Sequence, residues 1–308
     1  MPRQVDSDRY YWNGQRWVPS GTTVIGILDK PALMPWAANC AVDYVWECSA
    51  LPILTEEMCT EARTAYQIKS QEARDYGTFI HWMCERFLTT GKPEPIPATF
   101  EIEEDEGNHT IEVDVELTRK FMDGWTYVTK TGKGKRATGF YEWCEANKIK
   151  PIAVEGKVLH DKYGGRFDLV CEMNGVVTLI DFKTGKGTYY DTWPIQLAGY
   201  VNGYNVQIHK DAGVFVQDEI FRAREDPTIE TLGYYGYIEK YAIKAHGILK
   251  FNKDNGRINY KDFTSYERTR TNQQTLEPEK YTRNYETDLA TFMGCVDLWW
   301  LINRGVKP

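Results

Sequence analysis

Eighteen consecutive apolar residues occur nowhere in this 308-residue sequence, which excludes a membrane-spanning helix of ordinary length. A charged-then-apolar leader is missing too, so the expected location is the cytoplasm. Cysteine is scarce and irregular. The seven thiols, an odd number without regular spacing, argue for a reduced protein and against a disulfide framework. There is no G-x-x-x-x-G-K-[ST] loop, so a nucleotide-driven motor would have to be a separate chain. Internal repeats and low-complexity tracts are not evident. Positive charge is also short, since 37 Lys and Arg against 44 Asp and Glu leave a net charge of -7. Such a balance does not advertise nucleic-acid binding, although a local basic groove or a bound metal still attracts phosphate. What is present is a 42% apolar composition, enough for the core of one large domain or two small ones.

The chemistry gathers between Ile152 and Tyr200. Glu155, Asp168 and Asp181 follow one another at intervals of thirteen, and Lys183 lies two residues beyond the last. Ile152 to Leu159 is branched and apolar up to its glycine, Tyr163-Gly164-Gly165 can turn the chain, and Arg166 to Glu172 resumes an extended pattern. Asn174-Gly175 supplies the positive-φ pair of a type I′ hairpin, and Val176 to Ile180 is a buried-strand run ending at Asp181. A three-stranded meander follows, with Asp181 and Lys183 on one strand face. Three converging carboxylates are hard oxygen ligands suited to Mg²⁺ or Mn²⁺. A divalent ion there would activate water and offset phosphoryl charge, and Lys183 would orient or help deprotonate that water.

Asp168 followed by Asp181-Phe182-Lys183 resembles the PD-(D/E)xK nuclease signature. With Glu155, the GRFD segment, IDFKTGK and the QxxxY of Gln196 and Tyr200, the series is similar to the RecB-like exonuclease branch, which includes CRISPR-associated and phage members. The text GTTVIGILDKPALMPWAA resembles the opening of phage-type members. The resemblance implies that Glu155, Asp168 and Asp181 manage metal, with the Phe182 main-chain carbonyl as a further ligand. Lys183 would assist the nucleophile, and Gln196 and Tyr200 would support the site and its DNA. It also implies that the histidine of Gly77-Thr78-Phe79-Ile80-His81 joins the metal shell, where residues alone favour a structural role. Gly77 would let that helix approach the sheet closely. Some members hold an iron–sulfur cluster on one cysteine before the core and three near the C-terminus. Here only Cys295 lies beyond Cys171, so no cluster is expected.

Around this centre the chain divides by local signals. Tyr10 to Val18, with Asn13-Gly14 at its middle, is read as an aromatic hairpin. Thr23 to Glu47 has helical spacing, broken near Pro31 and Pro35, with Ser20, Thr22 and Thr23 as caps. Thr55-Glu56-Glu57 opens a long helix to about Leu88, Pro93 to Pro97 is a linker, and Glu101 to Glu106 is an acidic run. Ile111 to Leu117 fits a strand or the entry to a helix. Lys130, Lys133, Lys135 and Arg136, interleaved with glycine, make the densest basic cluster, fitting a phosphate-contacting loop or a plain surface loop equally. Together with Arg166 and Lys186 they are the expected nucleic-acid contacts; Arg222, Arg224, Arg268 and Arg270 are further candidates. Thr138 to Asn147 is a short amphipathic helix, Pro194 to Tyr204 a helix placing Gln196 and Tyr200 on one face, and Ala212 to Gln217 a strand. Tyr241 to Asn252 and Arg257 to Phe263 form a hairpin, and Tyr285 to Asn303 a closing helix.

The expected fold is α/β: a restriction-endonuclease-like core, with a mixed central sheet flanked by helices and an N-terminal helical region. One nuclease domain spans 1–308, comprising a hairpin and helical part (1–92) carrying His81, a catalytic core (137–218) and a completing hairpin and helix (219–308). The expected activity is Mg²⁺- or Mn²⁺-dependent hydrolysis of DNA, single- or double-stranded, at its ends. A phage-encoded chain would act in the host cytoplasm, alongside recombination or replication proteins. A catalytically silent nuclease fold that binds DNA or protein, and a structure-specific endonuclease, are the alternatives. Oligomeric state is not legible.

Overall fold

The three-strand meander forms because its turns are chemically specified. Asn174 and Gly175 take φ of 51° and 87°, the left-handed pair that a two-residue hairpin needs. The preceding turn closes through His160 N–H donating to the Tyr163 carbonyl at 2.9 Å. Gly164 and Gly165 therefore lie inside the next strand and not in the turn expected for them. A computed structural model describes residues 9–28, 33–48, 53, 55–103, 107–185, 191–225, 232–271 and 277–303.

The N-terminal elements are β1 (Tyr10–Trp12), β2 (Trp17–Pro19), α1 (Gly21–Ile25), α2 (Leu33–Glu47) and α3 (Glu56–Thr90). Next come β3 (Thr99–Ile102), β4 (His109–Glu112), α4 (Val115–Asp123), β5 (Trp125–Val128), β6 (Gly134–Ala137) and α5 (Phe140–Ala146). The meander is β7 (Lys150–Leu159), β8 (Gly164–Met173) and β9 (Val176–Gly185), followed by α6 (Thr192–Glu225) and α7 (Gly233–Tyr241). The chain continues with β10 (Ala245–Asn252), β11 (Arg257–Asp262), β12 (Ser265–Thr271), β13 (Pro278–Asn284) and α8 (Tyr285–Ile302).

Five strands make the central sheet in the order β11-β10-β9-β8-β7. The meander and the β10–β11 hairpin are antiparallel, whereas β10 runs parallel to β9, with Ile248 opposite Asp181 and Lys250 opposite Lys183. A parallel neighbour needs a crossover, and α6 with α7 supplies it. The sheet is therefore mixed, with helices on both faces. One face is covered by α3, α4 and α5, where Phe79, Ile80, Met83, Phe121 and Phe140 pack on Leu169, Ile180, Phe182 and Phe251. The other is covered by α6, through Leu197, Tyr200 and Val201 against Val170, Leu179 and Ile248. A third cluster joins α1 and α8 to the start of α6 through Val24, Ile195, Phe292 and Trp299.

Caps define the helices that matter most. Ser20 caps α1 and Thr55 caps α3, each hydroxyl accepting from an N–H three residues on; α3 ends at Gly91 with φ 69°. Three expectations need correction. Ala212 to Gln217 is not a strand but the middle of α6. Its β-branched residues suggest a strand locally, yet Leu197, Val201, Ile208 and Ala212 carry a helical buried stripe through it, leaving Val214 outside. Pro35 does not break its helix, since it occupies the first turn of α2, where the missing N–H costs little; Pro31 is outside the described residues. The strand expected from Tyr241 begins at Ala245, because Tyr241 ends α7. The segment from Ile111 resolves as both alternatives, β4 followed by α4, with Asp114 as cap.

Candidate active site

The site lies where β7, β8 and β9 pass beneath α3. Leu169 pairs with Ile180, so Asp168 and Asp181 are the next facing residues, and Glu155 falls opposite Asp168 between the pairs Val154–Leu169 and Gly156–Phe167. At this point the ladder opens. The Phe182 N–H donates to Asp168 Oδ2 at 2.5 Å, replacing a strand-to-strand bond with one to a side chain. Glu155 has φ 48°, left-handed backbone inside a strand, which costs a glutamate on the order of 1–3 kcal/mol. The same backbone directs its carboxylate toward Asp168 and His81.

His81 comes from α3, one turn after Gly77. A Cβ on Gly77 would stand 3.0 Å from Thr184 Oγ1, so the glycine lets the helix lie close on β9. His81 Nε2 is 3.1 Å from the Phe182 carbonyl, and Nδ1 is 3.3 Å from Asp168 Oδ1 and 3.9 Å from Glu155 Oε1. One ligand atom from each of His81, Glu155 and Asp168 can be chosen so that all lie within 4.8 Å of one another. Asp181 is not one of this trio; its Oδ2 is 2.5 Å from Lys183 Nζ, and its charge still reaches Asp168 and His81.

Electrostatics follow from burial and these pairings. Burial favours a neutral His81, but Asp168 beside it outweighs that and holds the imidazole above its ordinary value. Burial likewise opposes ionisation of Asp168, yet the His81 charge and hydrogen bond bring it below the usual carboxylate range. Glu155 is pushed up to about 7 by burial and then by the neighbouring Asp168 charge. Asp181 is raised by burial against the pull of Lys183, while Lys183, despite burial, is raised by Asp181 and Asp168 and stays an ammonium. Glu85, one turn beyond His81, is close enough for its charge to raise Glu155 further.

The fit to a divalent cation can be judged from the donors themselves. Two carboxylates and a carbonyl outnumber one imidazole nitrogen, an oxygen-rich set appropriate to Mg²⁺ or Mn²⁺. His81 Nδ1 faces both Asp168 and Glu155, so the two carboxylates gather about a point that favours positive charge.

On the opposite face, α6 carries Gln196 and Tyr200. Gln196 Nε2 donates to the Tyr200 hydroxyl at 2.7 Å and to Thr22 Oγ1 at 2.8 Å. Tyr200 is pushed up to about 12, chiefly by burial, and so remains a neutral phenol. Its ring is wedged between glycines: a Cβ on Gly165 would sit 2.4 Å, and one on Gly21 2.9 Å, from Tyr200 Cε1. The sequence offers Thr22 only as a helix cap, but Ser20 takes that role and Thr22 reaches Gln196 instead. That partner is 174 residues away, and the only trace of the contact was a hydroxyl in the GTTV text.

The expected nucleic-acid contacts fare unevenly. Arg166 is exposed beside the site and its charge lowers Glu155. Lys133 and Lys135 are exposed on the β5–β6 ribbon. Arg136 bonds Glu142 and the Asp123 carbonyl and so fastens β6 to α4 and α5. Lys186 lies outside the described residues, as do the side chains of Arg222, Arg224 and Arg270, and Arg268 is paired with Asp191.

No curated protein matches the chain. The family model of the PD-(D/E)XK nuclease superfamily matches residues 40–279, a span that runs from α2 through every strand of the central sheet and contains His81, Glu155, Asp168, Asp181 and Lys183. With that match over most of its length and the motif residues meeting on a mixed sheet, the chain belongs to the PD-(D/E)XK nuclease superfamily.

Proposed function

We propose that this protein is a Mg²⁺- or Mn²⁺-dependent deoxyribonuclease that hydrolyses DNA from its ends, with the whole chain forming one catalytic unit. The observation that carries the proposal is the meeting of His81, Glu155 and Asp168 within coordination reach, beside the Asp181–Lys183 pair. His81, Glu155, Asp168 and the Phe182 carbonyl would hold the cation, and Asp181 would join them as Lys183 turns to substrate. A bound cation supplies charge compensation for the phosphoryl oxygens and acidifies water. Lys183 keeps its proton at Nζ, so its part is to orient the attacking water and to add positive charge where the transition state gathers negative charge. Gln196, Tyr200 and Thr22 brace the α6 side of the site. Arg166 offers a backbone-phosphate contact at its rim. Cleavage proceeds without a covalent enzyme intermediate, since no unassigned nucleophile is needed.

The test is a set of end-labelled and circular DNAs, single- and double-stranded, incubated with Mg²⁺ or Mn²⁺. A progressive ladder from linear substrates with circular DNA intact supports an end-directed exonuclease. Nicking of circles shows an endonuclease instead, and no cutting despite Mn²⁺ binding shows a silent binding fold. Asp181→Ala and Lys183→Ala should each lower cleavage by about 10³-fold or more while leaving the far-ultraviolet circular dichroism unchanged. Undiminished cleavage by both variants sinks the assignment.

A further inference from the structure

α2 and the N-terminal half of α3 form a two-helix hairpin with a thin core. Cys40 on α2 and Met58, Ala62 and Ala65 on α3 are buried between them, and polar links from Tyr44 to Glu61 and from Asp43 to Lys69 tie their edges. The side of α2 not covered by α3 is also apolar. Met34, Ala38, Ala41, Val42, Val45 and Trp46 recur at the three- and four-residue spacing of a packing face, yet Met34 is 82%, Val42 66%, Trp46 78% and Val45 37% exposed. The only charged side chains on α2, Asp43 and Glu47, lie off this stripe. Isolated exposed leucines or valines need no explanation, but a continuous stripe of this kind does.

We propose that α2 is the self-association surface of this protein, with two copies pairing antiparallel about a two-fold axis so that both α2–α3 hairpins join in a four-helix bundle. The area is right for it. Taking roughly 150 Å² for valine up to 250 Å² for tryptophan, the exposed fractions of Met34, Val42, Val45 and Trp46 amount to about 500 Å² of apolar surface. A stable interface buries about 800 Å² on each partner, some 60% of it apolar, which is nearly the same figure. The order of residues is self-complementary as well. Met34 and Trp46 stand about 18 Å apart along the axis, with the small Ala38 and Ala41 between them where two antiparallel helices cross most closely. Beside Trp46 a cavity of about 370 Å³ is lined by Ala41, Val42, Val45 and Ala62. Antiparallel pairing brings Met34 of the second copy to this cavity. Such isologous contacts close at two copies and stop.

The experiment is sedimentation equilibrium of the metal-free, DNA-free chain over a wide concentration range, so its result does not depend on the nuclease assignment. The wild type should approach twice the 35.7 kDa chain mass. Val42→Glu, on the exposed face and thus compatible with folding, should weaken dimerisation by roughly tenfold or more. Ala38→Cys should give, on mild oxidation, a disulfide-linked dimer above the wild-type background. A wild type that stays monomeric throughout overturns the proposal, as does a larger assembly or a dimer unaffected by Val42→Glu. Matching circular dichroism of the variants confirms that the fold is retained.

Discussion

Glu155 is held in a left-handed conformation inside a strand, half-buried beside Asp168, and so is destabilising twice over in the absence of metal. The sign of its pH effect follows from burial. Its folded-state value near 7 lies above that of an unfolded glutamate, so the folded chain binds more protons between about pH 4.5 and 7 and loses stability as pH rises through that window. Glu155→Gln should therefore raise the unfolding free energy by about 2–3 kcal/mol at pH 8 in EDTA, with the gain vanishing below about pH 4.5. Urea denaturation at a series of pH values checks this, and a gain independent of pH counts against it. The same variant should lose metal binding, a local case of stability yielding to function. The candidates themselves were legible: the thirteen-residue spacing and D-x-K text singled out Glu155, Asp168, Asp181 and Lys183 as residues to gather on adjacent strands, and β7, β8 and β9 are adjacent. The division of labour was not, because the pairing of Asp181 with Lys183, outside the His81 trio, depends on side-chain geometry across three strands.

At the scale of elements, the site depends on how closely α1 and α6 approach β8. Gly21 and Gly165 leave room for the Tyr200 ring, and Thr22 holds Gln196. Gly165→Ala places a methyl where the ring already is, and should cost about 1–3 kcal/mol while lowering turnover through displacement of Tyr200. Thr22→Val keeps the volume but removes the acceptor, and should cost about 1 kcal/mol with a smaller loss of activity. Denaturation midpoints and initial rates on the same DNA substrate separate the two; equal rates for wild type and Gly165→Ala argue against a role for the Tyr200 wedge. The long α3, the Asn174-Gly175 hairpin and the closing helix α8 could be read from spacing and caps. The α7 helix and the β12–β13 ribbon could not, because neither has a strong local period and each is held by packing on another element. Arg283 and Tyr266 of the ribbon, for example, both bind the fully buried Asp288 of α8.

For the molecule as a whole, metal and fold should be linked. The proposed ligands come from α3 and three strands, so binding would tie elements that span more than 100 residues of chain. Mn²⁺ at a hundred times its dissociation constant should stabilise by about 2.7 kcal/mol, or about 4 °C in Tm for a chain of this size. Differential scanning calorimetry with Mn²⁺ and with EDTA measures the shift, and Asp168→Asn should abolish it. A shift retained in that variant places the cation elsewhere.

Strand and helix periods, turn dipeptides and the order of carboxylates along the chain are local properties, and by themselves they determined the meander, the long helix and the residues around which chemistry is built. Tertiary structure decided the rest. Ala212 to Gln217 became helix because a buried stripe from Leu197 onward outweighs local strand preference. Arg136 became a fastener because Glu142 and Asp123 fold beside it. Thr22 entered the site, and the apolar side of α2 was left bare, because both depend on which surfaces meet in three dimensions, and sequence spacing carries no record of contacts made across a hundred residues or more.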